Sequence, residues 1–146
     1  MLEQLLTAEQ LPIWAAEYAQ AVVDAYHPDC IILFGSVARN AQQRDSDIDI
    51  LVIGGEMPVS ARERFRLLMQ LRPRLAPIQV QTFTRAEWEQ MLVAKHVTVL
   101  EALKDGKALH GKRLFAQWRQ VFRRWQAQGL YRTDCTWVIP VGLRRG

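Results

Sequence analysis

Two short groups of polar residues have the spacing needed for joint chemistry. The first is Gly35-Ser36, which directly follows the apolar run 30–34 and precedes residues that can begin a short helix. A glycine lets the backbone approach an anion, a serine hydroxyl can donate to it, and the N–H groups of a helix start favour negative charge. The pair is therefore a candidate phosphate site, although Gly-Ser at a strand end is also common turn chemistry.

The second group is the carboxylate pair Asp47 and Asp49. Residues two apart on a strand project from the same face, so the predicted strand 47–53 places both carboxylates side by side. Crowded carboxylates repel one another and resist desolvation unless a cation or strong donors compensate. Mg²⁺ prefers such oxygen ligands and completes its shell with water and substrate phosphates. We favour a magnesium site over the alternative of two solvated carboxylates at a strand start, because the Gly-Ser turn adjoins it.

The hydrophobic pattern predicts the elements that must position these groups. Apolar runs and alternation indicate strands, and apolar residues at three- and four-residue spacing indicate helices. The predicted strands cover 30–34, 47–53 and 77–83, with a short edge strand at 107–110. The predicted helices cover 9–26, 60–75, 84–93, 98–104 and 112–127, and residues 130–140 could add a hairpin. The resulting fold class is α/β, a small mixed β-sheet flanked by helices with a C-terminal helical extension.

Local signals refine two of these helices. Ser60 with Glu63 and Thr84 with Glu87 have the spacing of capping boxes, which predicts helix starts at both places. The arginines of the first of these helices are expected to face solvent; they are Arg62, Arg64 and Arg66.

The length of 146 residues fits one domain with a short appendage. We predict a main domain over 1–111, and a basic amphipathic helix and tail over 112–146 that packs on it. The apolar stripe of that helix includes Trp118 and Trp125. Packing on the protein's own core is the favoured interpretation, and an interface with another protein is the alternative.

Charge is distributed unevenly along the chain. Residues 1–103 contain 9 basic and 13 acidic side chains, whereas residues 104–146 contain 10 basic and 2 acidic ones. A polyanion such as nucleic acid, or an acidic protein face, would be attracted to this tail. A solvated basic helix face is an equally good interpretation.

Several classes of protein are disfavoured. Apolar stretches are of strand length, far short of the ~20 residues that span a membrane, and the N-terminus has no secretory pattern. We therefore expect a cytoplasmic protein without membrane contact. Cys30 and Cys135 lie far apart without neighbouring histidines at ligand spacing, which argues against zinc and disulfides.

The combined motif resembles that of the DNA polymerase β-type nucleotidyltransferase superfamily, and more narrowly the minimal nucleotidyltransferase (MNT) family. It consists of Gly35-Ser36, ten intervening residues that include Arg39 and Ser46, and then Asp47-x-Asp49. Asn40 stands where such proteins often have glycine, a mild departure because Asn tolerates a left-handed backbone.

The resemblance implies a function and a site. Gly35, Ser36, Arg39 and Ser46 would bind a nucleoside triphosphate, with ATP expected, although Arg39 could equally brace the loop. Asp47 and Asp49 would be the catalytic residues and the ligands of Mg²⁺. A nucleoside monophosphate would pass to a hydroxyl group of a protein or RNA acceptor. Minimal members of the family often act as antitoxins that adenylylate a helical partner with a HEPN-type fold, so such a partner is also implied.

One departure concerns the third strand, where active relatives usually have a further aspartate. The closest position here is Gln79, and Gln81 on the same face offers no carboxylate either. Asp45 or Glu87 could substitute only if the fold brought them close. Three hypotheses follow: a working transferase, a degenerate member that binds nucleotide or a partner without transfer, and a nucleic-acid-binding module that uses the basic tail.

Overall fold

The computed structural model describes residues 10–41, 47–73 and 76–144. The helices in these residues are α1 (Leu11–Tyr26), α2 (Gly35–Ala38), α3 (Ala61–Gln70), α4 (Arg85–Val93), α5 (Val97–Asp105) and α6 (Lys112–Ala127). The main-sheet strands are β1 (Cys30–Phe34), β2 (Ile48–Ile53), β3 (Ile78–Phe83) and β4 (Lys107–His110), and the hairpin strands are β5 (Tyr131–Arg132) and β6 (Trp137–Val138). A short 3-10 helix, Val141–Leu143, follows.

The described strands form a mixed sheet in the order β3-β2-β1-β4. β1 runs antiparallel to both β2 and β4, whereas β2 and β3 are parallel. The predicted α/β class with a small mixed sheet is confirmed, and each predicted strand agrees with the observed one to within a residue. β4 lies at the edge, as the sequence indicated.

Both faces of the sheet are covered by helices. On one face, α1 and α3 pack on side chains such as Ile31 and Ile50. On the other face, α4, α5 and α6 pack on side chains such as Ile32 and Leu51. This explains why β1, and β2 apart from Asp49, are apolar throughout, because a strand buried on both faces has no solvent side. The chain turns from β1 into α2 at the end of a central strand, which is where the candidate phosphate site lies.

The C-terminal helix α6 buries its apolar stripe against the protein's own core. Phe115, Trp118 and Phe122 are almost fully buried, and the rings of Trp118 and Trp88 have centroids 5.4 Å apart. Trp125 is half-buried, with the ammonium group of Lys95 4.7 Å from its ring centroid. The apolar stripe of α6 therefore lies mainly within the protein's own core. None of the described helices is sufficiently long and apolar to cross a membrane.

The expectation that Arg64 faces solvent is wrong. Its side chain is only 2% exposed, while Arg62 and Arg66 are exposed as predicted. The Arg64 guanidinium donates to Glu87 at 2.9 Å, to Thr82 at 3.3 Å and to the backbone carbonyls that precede α3. The sequence could not reveal this, because these acceptors come together only when α3 packs beside the end of β3.

The two predicted capping boxes have different outcomes. At the start of α4, Thr84 and Glu87 form both reciprocal hydrogen bonds, so this box is confirmed. At the start of α3, the Ser60 hydroxyl accepts from the Glu63 N–H at 3.3 Å, but the Glu63 carboxylate pairs with Arg66. This helix also ends at Gln70, earlier than the predicted residue 75.

We expect Arg64→Leu to lower the free energy of unfolding by about 2–4 kcal/mol, because it removes several hydrogen bonds of a buried cation. Urea denaturation would measure the loss. The matched control is Arg62→Leu, two residues away on the exposed side of α3, where a change within about 0.5 kcal/mol is expected. Equal effects at the two positions would contradict a specific role for the buried arginine.

Candidate functional site

The Gly-Ser turn and the second strand aspartate lie in direct proximity. Gly35 has φ +76°, a left-handed conformation that favours glycine. A side chain at Gly35 would collide with the carboxylate of Asp49. The β1/β2 register accounts for this, since Phe34 pairs with Asp49 and the chain turns at the next residue. The candidate phosphate site and a candidate metal ligand are thus one site.

The short helix α2 anchors the Gly35-Ser36 turn to the core of the protein. Val37 and Ala38 are buried in the core between the sheet and α1. The Ala41 N–H donates to the Ser36 carbonyl at 2.9 Å, and the Arg39 N–H donates to the Gly35 carbonyl at 3.2 Å. Ser36 itself remains half-buried at the surface of the site. The turn is therefore fixed by buried neighbours, while its serine stays accessible to a ligand.

The two aspartates occupy different environments. Asp47 is exposed just before β2, and Asp49 is half-buried within it. Burial raises the pKa of the Asp49 carboxyl, the nearby Asp47 carboxylate raises it further, and Arg39 opposes the rise. The charged form of Asp49 is thus disfavoured in the protein alone. A divalent cation would reverse this, because it adds positive charge where two carboxylates converge.

Gln79 lies beside Asp49, where the sequence placed it. In the parallel β2/β3 pair, Asp49 is aligned with Gln79 and Leu51 with Gln81, and both glutamines are exposed. An amide is a weaker ligand for Mg²⁺ than a carboxylate and cannot accept a proton as a general base. Among the described residues, no cluster of three or more histidine, cysteine or acidic side chains could hold a metal. Two carboxylates still fit Mg²⁺, which takes further ligands from water and phosphates.

The suggested replacements for the missing carboxylate have separate outcomes. Glu87 follows β3 and binds the Thr84 N–H at 2.7 Å, whereas Gln79 lies at the start of β3. The four residue steps from Gln79 to Phe83 span roughly 13 Å. The fold therefore does not bring Glu87 close to the position of Gln79. Asp45, together with the predicted nucleotide-binding residue Ser46, lies outside the described residues.

The structure also brings Asp105 to the site, which sequence inspection missed. Its carboxylate lies 4.0 Å from the Arg39 guanidinium and 3.5 Å from the Lys104 ammonium. Asp105 ends α5, and β4 begins two residues later beside β1. Because no local pattern tells which strand an edge strand will join, this contact has no signal in the sequence. Arg39 thus lies between Asp105 and the paired aspartates.

The family of the chain follows from its sequence as well as from this geometry. The family model described as "Polymerase beta, Nucleotidyltransferase" matches residues 17–113, which include the turn and both aspartates. The chain belongs to this nucleotidyltransferase family. A search of curated proteins found no match.

Solved structures with the same fold include chains from toxin–antitoxin complexes. One complex was solved with AMP-PNP; its chain has a TM-score of 0.52 and 23% identity, over 77% of this chain and 90% of its own. A mutant MntA–HpeT complex gives a TM-score of 0.53 and 22% identity, over 78% and 90%. The complex of tri-AMPylated Shewanella oneidensis HEPN toxin with MNT antitoxin gives 0.50 and 22%, over 81% and 91%. At these identities the likeness establishes the fold alone, and the family assignment rests on the family model.

We expect Gly35→Ala to weaken nucleotide binding far more than the addition of a single methyl group would suggest. The left-handed backbone costs an alanine about 1–2 kcal/mol, and the new methyl group must displace the Asp49 carboxylate. ATP binding in the presence of Mg²⁺, measured by calorimetry, should weaken about tenfold or more. Gly142→Ala is the control, since its φ lies outside the left-handed region and no atom of the described residues lies within 4 Å of an added methyl group. Unchanged binding by Gly35→Ala would contradict the proposed phosphate turn.

Proposed function

We propose that this protein transfers a nucleoside monophosphate, most simply AMP from Mg-ATP, to a hydroxyl group of a protein or RNA acceptor. The observation that supports this most strongly is the approach of the Gly35 turn to the Asp49 carboxylate. Phosphates held by such a turn would lie beside a metal ligand, as transfer from a nucleoside triphosphate requires. A turn with only a structural role would not need two carboxylates next to it.

Each residue has a distinct part in this proposal. The N–H groups of the Gly35-Ser36 turn and the Ser36 hydroxyl would donate to the phosphates. Arg39 would add positive charge beside them, held by Asp105 at 4.0 Å. Asp47 and Asp49 would hold Mg²⁺. Ser46 completes the proposed nucleotide-binding set on sequence grounds alone.

The reaction is an in-line displacement. The acceptor oxygen attacks the α-phosphorus, the bond to the β-phosphate bridging oxygen breaks, and pyrophosphate leaves. Mg²⁺, when bound, would stabilise the negative charge on the attacking and departing oxygens. Since Gln79 cannot accept the hydroxyl proton, we infer that this proton passes to water, which makes the step slow. The chain's own residues supply binding, orientation and charge.

The acceptor is proposed to be a HEPN-type toxin, which would make this protein an antitoxin. Support comes from the fold shared with chains of toxin–antitoxin complexes, one of which contains an AMPylated HEPN toxin. The buried stripe of α6 cannot serve as the docking surface, because Trp118 is only 6% exposed. Docking through other parts of the surface is consistent with the structure.

The position of Gln79 supports a second candidate function. A site with two carboxylates and an adjacent amide would bind nucleotide with one metal ion and transfer it poorly or not at all. The protein would then act on a partner by binding alone. Two results together would favour this function over the first. Calorimetry would show that ATP binds in the presence of Mg²⁺, and no transfer of nucleoside monophosphate would be detected.

The decisive experiment follows label from α-phosphate-labelled nucleoside triphosphates into lysate of the host cell, in the presence of Mg²⁺. The wild-type protein is compared with Asp47→Asn. Label that enters a protein or RNA band only with the wild type would support transfer, and would identify the acceptor class and the preferred base. An absence of label with both proteins, in a lysate that contains suitable acceptors, would refute the transferase proposal.

A further inference from the structure

A basic groove runs between α6 and the start of β4. Its volume is about 630 Å³, which is within the range of ligand sites. Among the residues that the structure describes, four cationic side chains and no acidic ones line it: Lys107, Lys112, Arg119 and Arg123. Its floor includes Phe115 and small alanine side chains. We define the basic groove by these four cations.

Arg119 is fixed in the wall of the basic groove. Its Nε donates to the Leu103 carbonyl at 3.1 Å, its Nη2 donates to the Gly106 carbonyl, and its guanidinium lies 4.4 Å from the Phe115 ring centroid. Burial lowers the pKa of Arg119, the neighbouring Arg123 lowers it further, and Asp105 opposes part of the fall. The fold thus holds cations close together at an electrostatic cost, which a bound anion would relieve.

The other three cations are available to a ligand. Lys107, Lys112 and Arg123 are exposed. Within residues 10–41, 47–73 and 76–144, the ion pairs involve other cations. Lys112 and Arg123 lie eleven residues apart on α6, or roughly 16 Å along the helix. The basic groove is therefore a positively charged track, since its cations extend along the helix.

The basic groove opens at the same end of the sheet as the nucleotidyltransferase site. Lys107 pairs with Leu33 across β1 and β4, and the next residue of β1, Phe34, pairs with Asp49. Asp105, which contacts Arg39, is separated from Lys107 only by Gly106. A chain that lies in the basic groove would therefore end or pass close to the site.

We propose that the basic groove binds single-stranded RNA through its phosphates. Every nucleotide of such a strand carries a negatively charged phosphate, so one strand can contact cations on both walls of the basic groove. A single strand also suits a groove of this volume, whereas a duplex would need a broad, flat basic face. An acidic protein surface is less suitable, because its carboxylates are irregularly spaced and a folded face does not enter a groove. The proposal concerns binding and does not depend on whether the site transfers nucleotides.

The test is fluorescence anisotropy with a labelled oligouridylate of twelve nucleotides and the full-length protein. We expect binding that weakens with salt, since cations released from the strand drive association. Lys112→Gln/Arg123→Gln should weaken binding on the order of tenfold at 0.1 M salt, and the slope of log affinity against log salt should fall by about 1.4, or ~0.7 per lost contact. The control is Arg62→Gln/Arg72→Gln, which removes the same charge from exposed positions elsewhere.

Three results would overturn the proposal. They are no binding of the oligonucleotide at low salt, equal weakening by the two double variants, and tighter binding of polyglutamate than of the RNA. Circular dichroism and thermal melting of each variant would confirm that the fold is retained, as expected for exposed side chains. Loss of transfer in Asp47→Asn with unchanged RNA binding would show that the two sites fail independently.

Discussion

Asp49→Asn is expected to reduce nucleotide transfer by at least about 10³-fold. Charge stabilisation by a catalytic metal contributes several kcal/mol, and each 1.36 kcal/mol corresponds to a factor of ten in rate. The amide keeps the shape of the side chain against Gly35 but removes the charge that would hold the cation. The measurement is incorporation of α-phosphate label at saturating ATP, over a range of Mg²⁺ concentrations. If a high Mg²⁺ concentration restored full activity to Asp49→Asn, Asp49 would not be an essential metal ligand.

The same substitution is expected to stabilise the protein in the absence of metal. Burial raises the pKa of Asp49, and Asp47 raises it further. A folded-state pKa above the unfolded one means that stability falls as pH rises through that interval. Asn should therefore raise the free energy of unfolding at neutral pH, by about 0.2–1 kcal/mol on the scale of partly solvated charges. The gain should vanish in acid, where Asp49 is protonated in both states.

This combination separates a catalytic role from a structural one. A variant that is inactive and at least as stable as the wild type has lost chemistry, since misfolding would lower its melting temperature. Thermal melting with EDTA and then with Mg²⁺ provides the comparison, because Mg²⁺ should stabilise only the wild type. A lower melting temperature for Asp49→Asn at neutral pH would contradict the unfavourable charge environment described for this carboxylate.

Gln79→Asp is expected to increase transfer by about 10²–10⁴-fold, the usual contribution of a general base. The register places residue 79 directly beside Asp49, so a carboxylate there could accept the acceptor proton and help to hold a second metal. Initial rates of label transfer, measured against Mg²⁺ concentration, would show the gain and an altered metal dependence. The increase would identify the natural protein as a weakened transferase.

The matched control is Gln81→Asp. Gln81 is exposed on the same face of β3, but it is aligned with Leu51, two residues beyond the site. Added negative charge alone should leave transfer unchanged there. If the wild type is active and Gln79→Asp transfers at an equal rate, with tight nucleotide binding in both, the missing carboxylate does not limit the activity of this protein. If the wild type is inactive and Gln79→Asp is inactive as well, the binding-only function is favoured.

The sequence by itself determined most of the fold and the core of the site. The apolar run at 30–34 predicts a strand covered on both faces, and the alternation that begins at Asp47 predicts a second strand over 47–53. The bounds of α6 agree with the prediction at both ends, because its stripe has a strong helical period. The Gly-Ser and Asp-x-Asp spacing was sufficient to predict that a phosphate turn and a carboxylate pair belong together. Comparison with the family pattern that the motif resembles also identified Gln79 as the departure on the third strand.

Only the tertiary structure decided which distant residues complete the site and the core. Arg64 lies on a helix face that the sequence predicted to be solvated, yet it is buried because β3 brings Thr82 and Glu87 to it. The same contact removes Glu87 from consideration as a third carboxylate. Asp105 reaches Arg39 because β4 joins the edge beside β1. Local periodicity specifies an element and its buried face, whereas contacts between elements depend on strand order and register, which arise from packing of the whole chain.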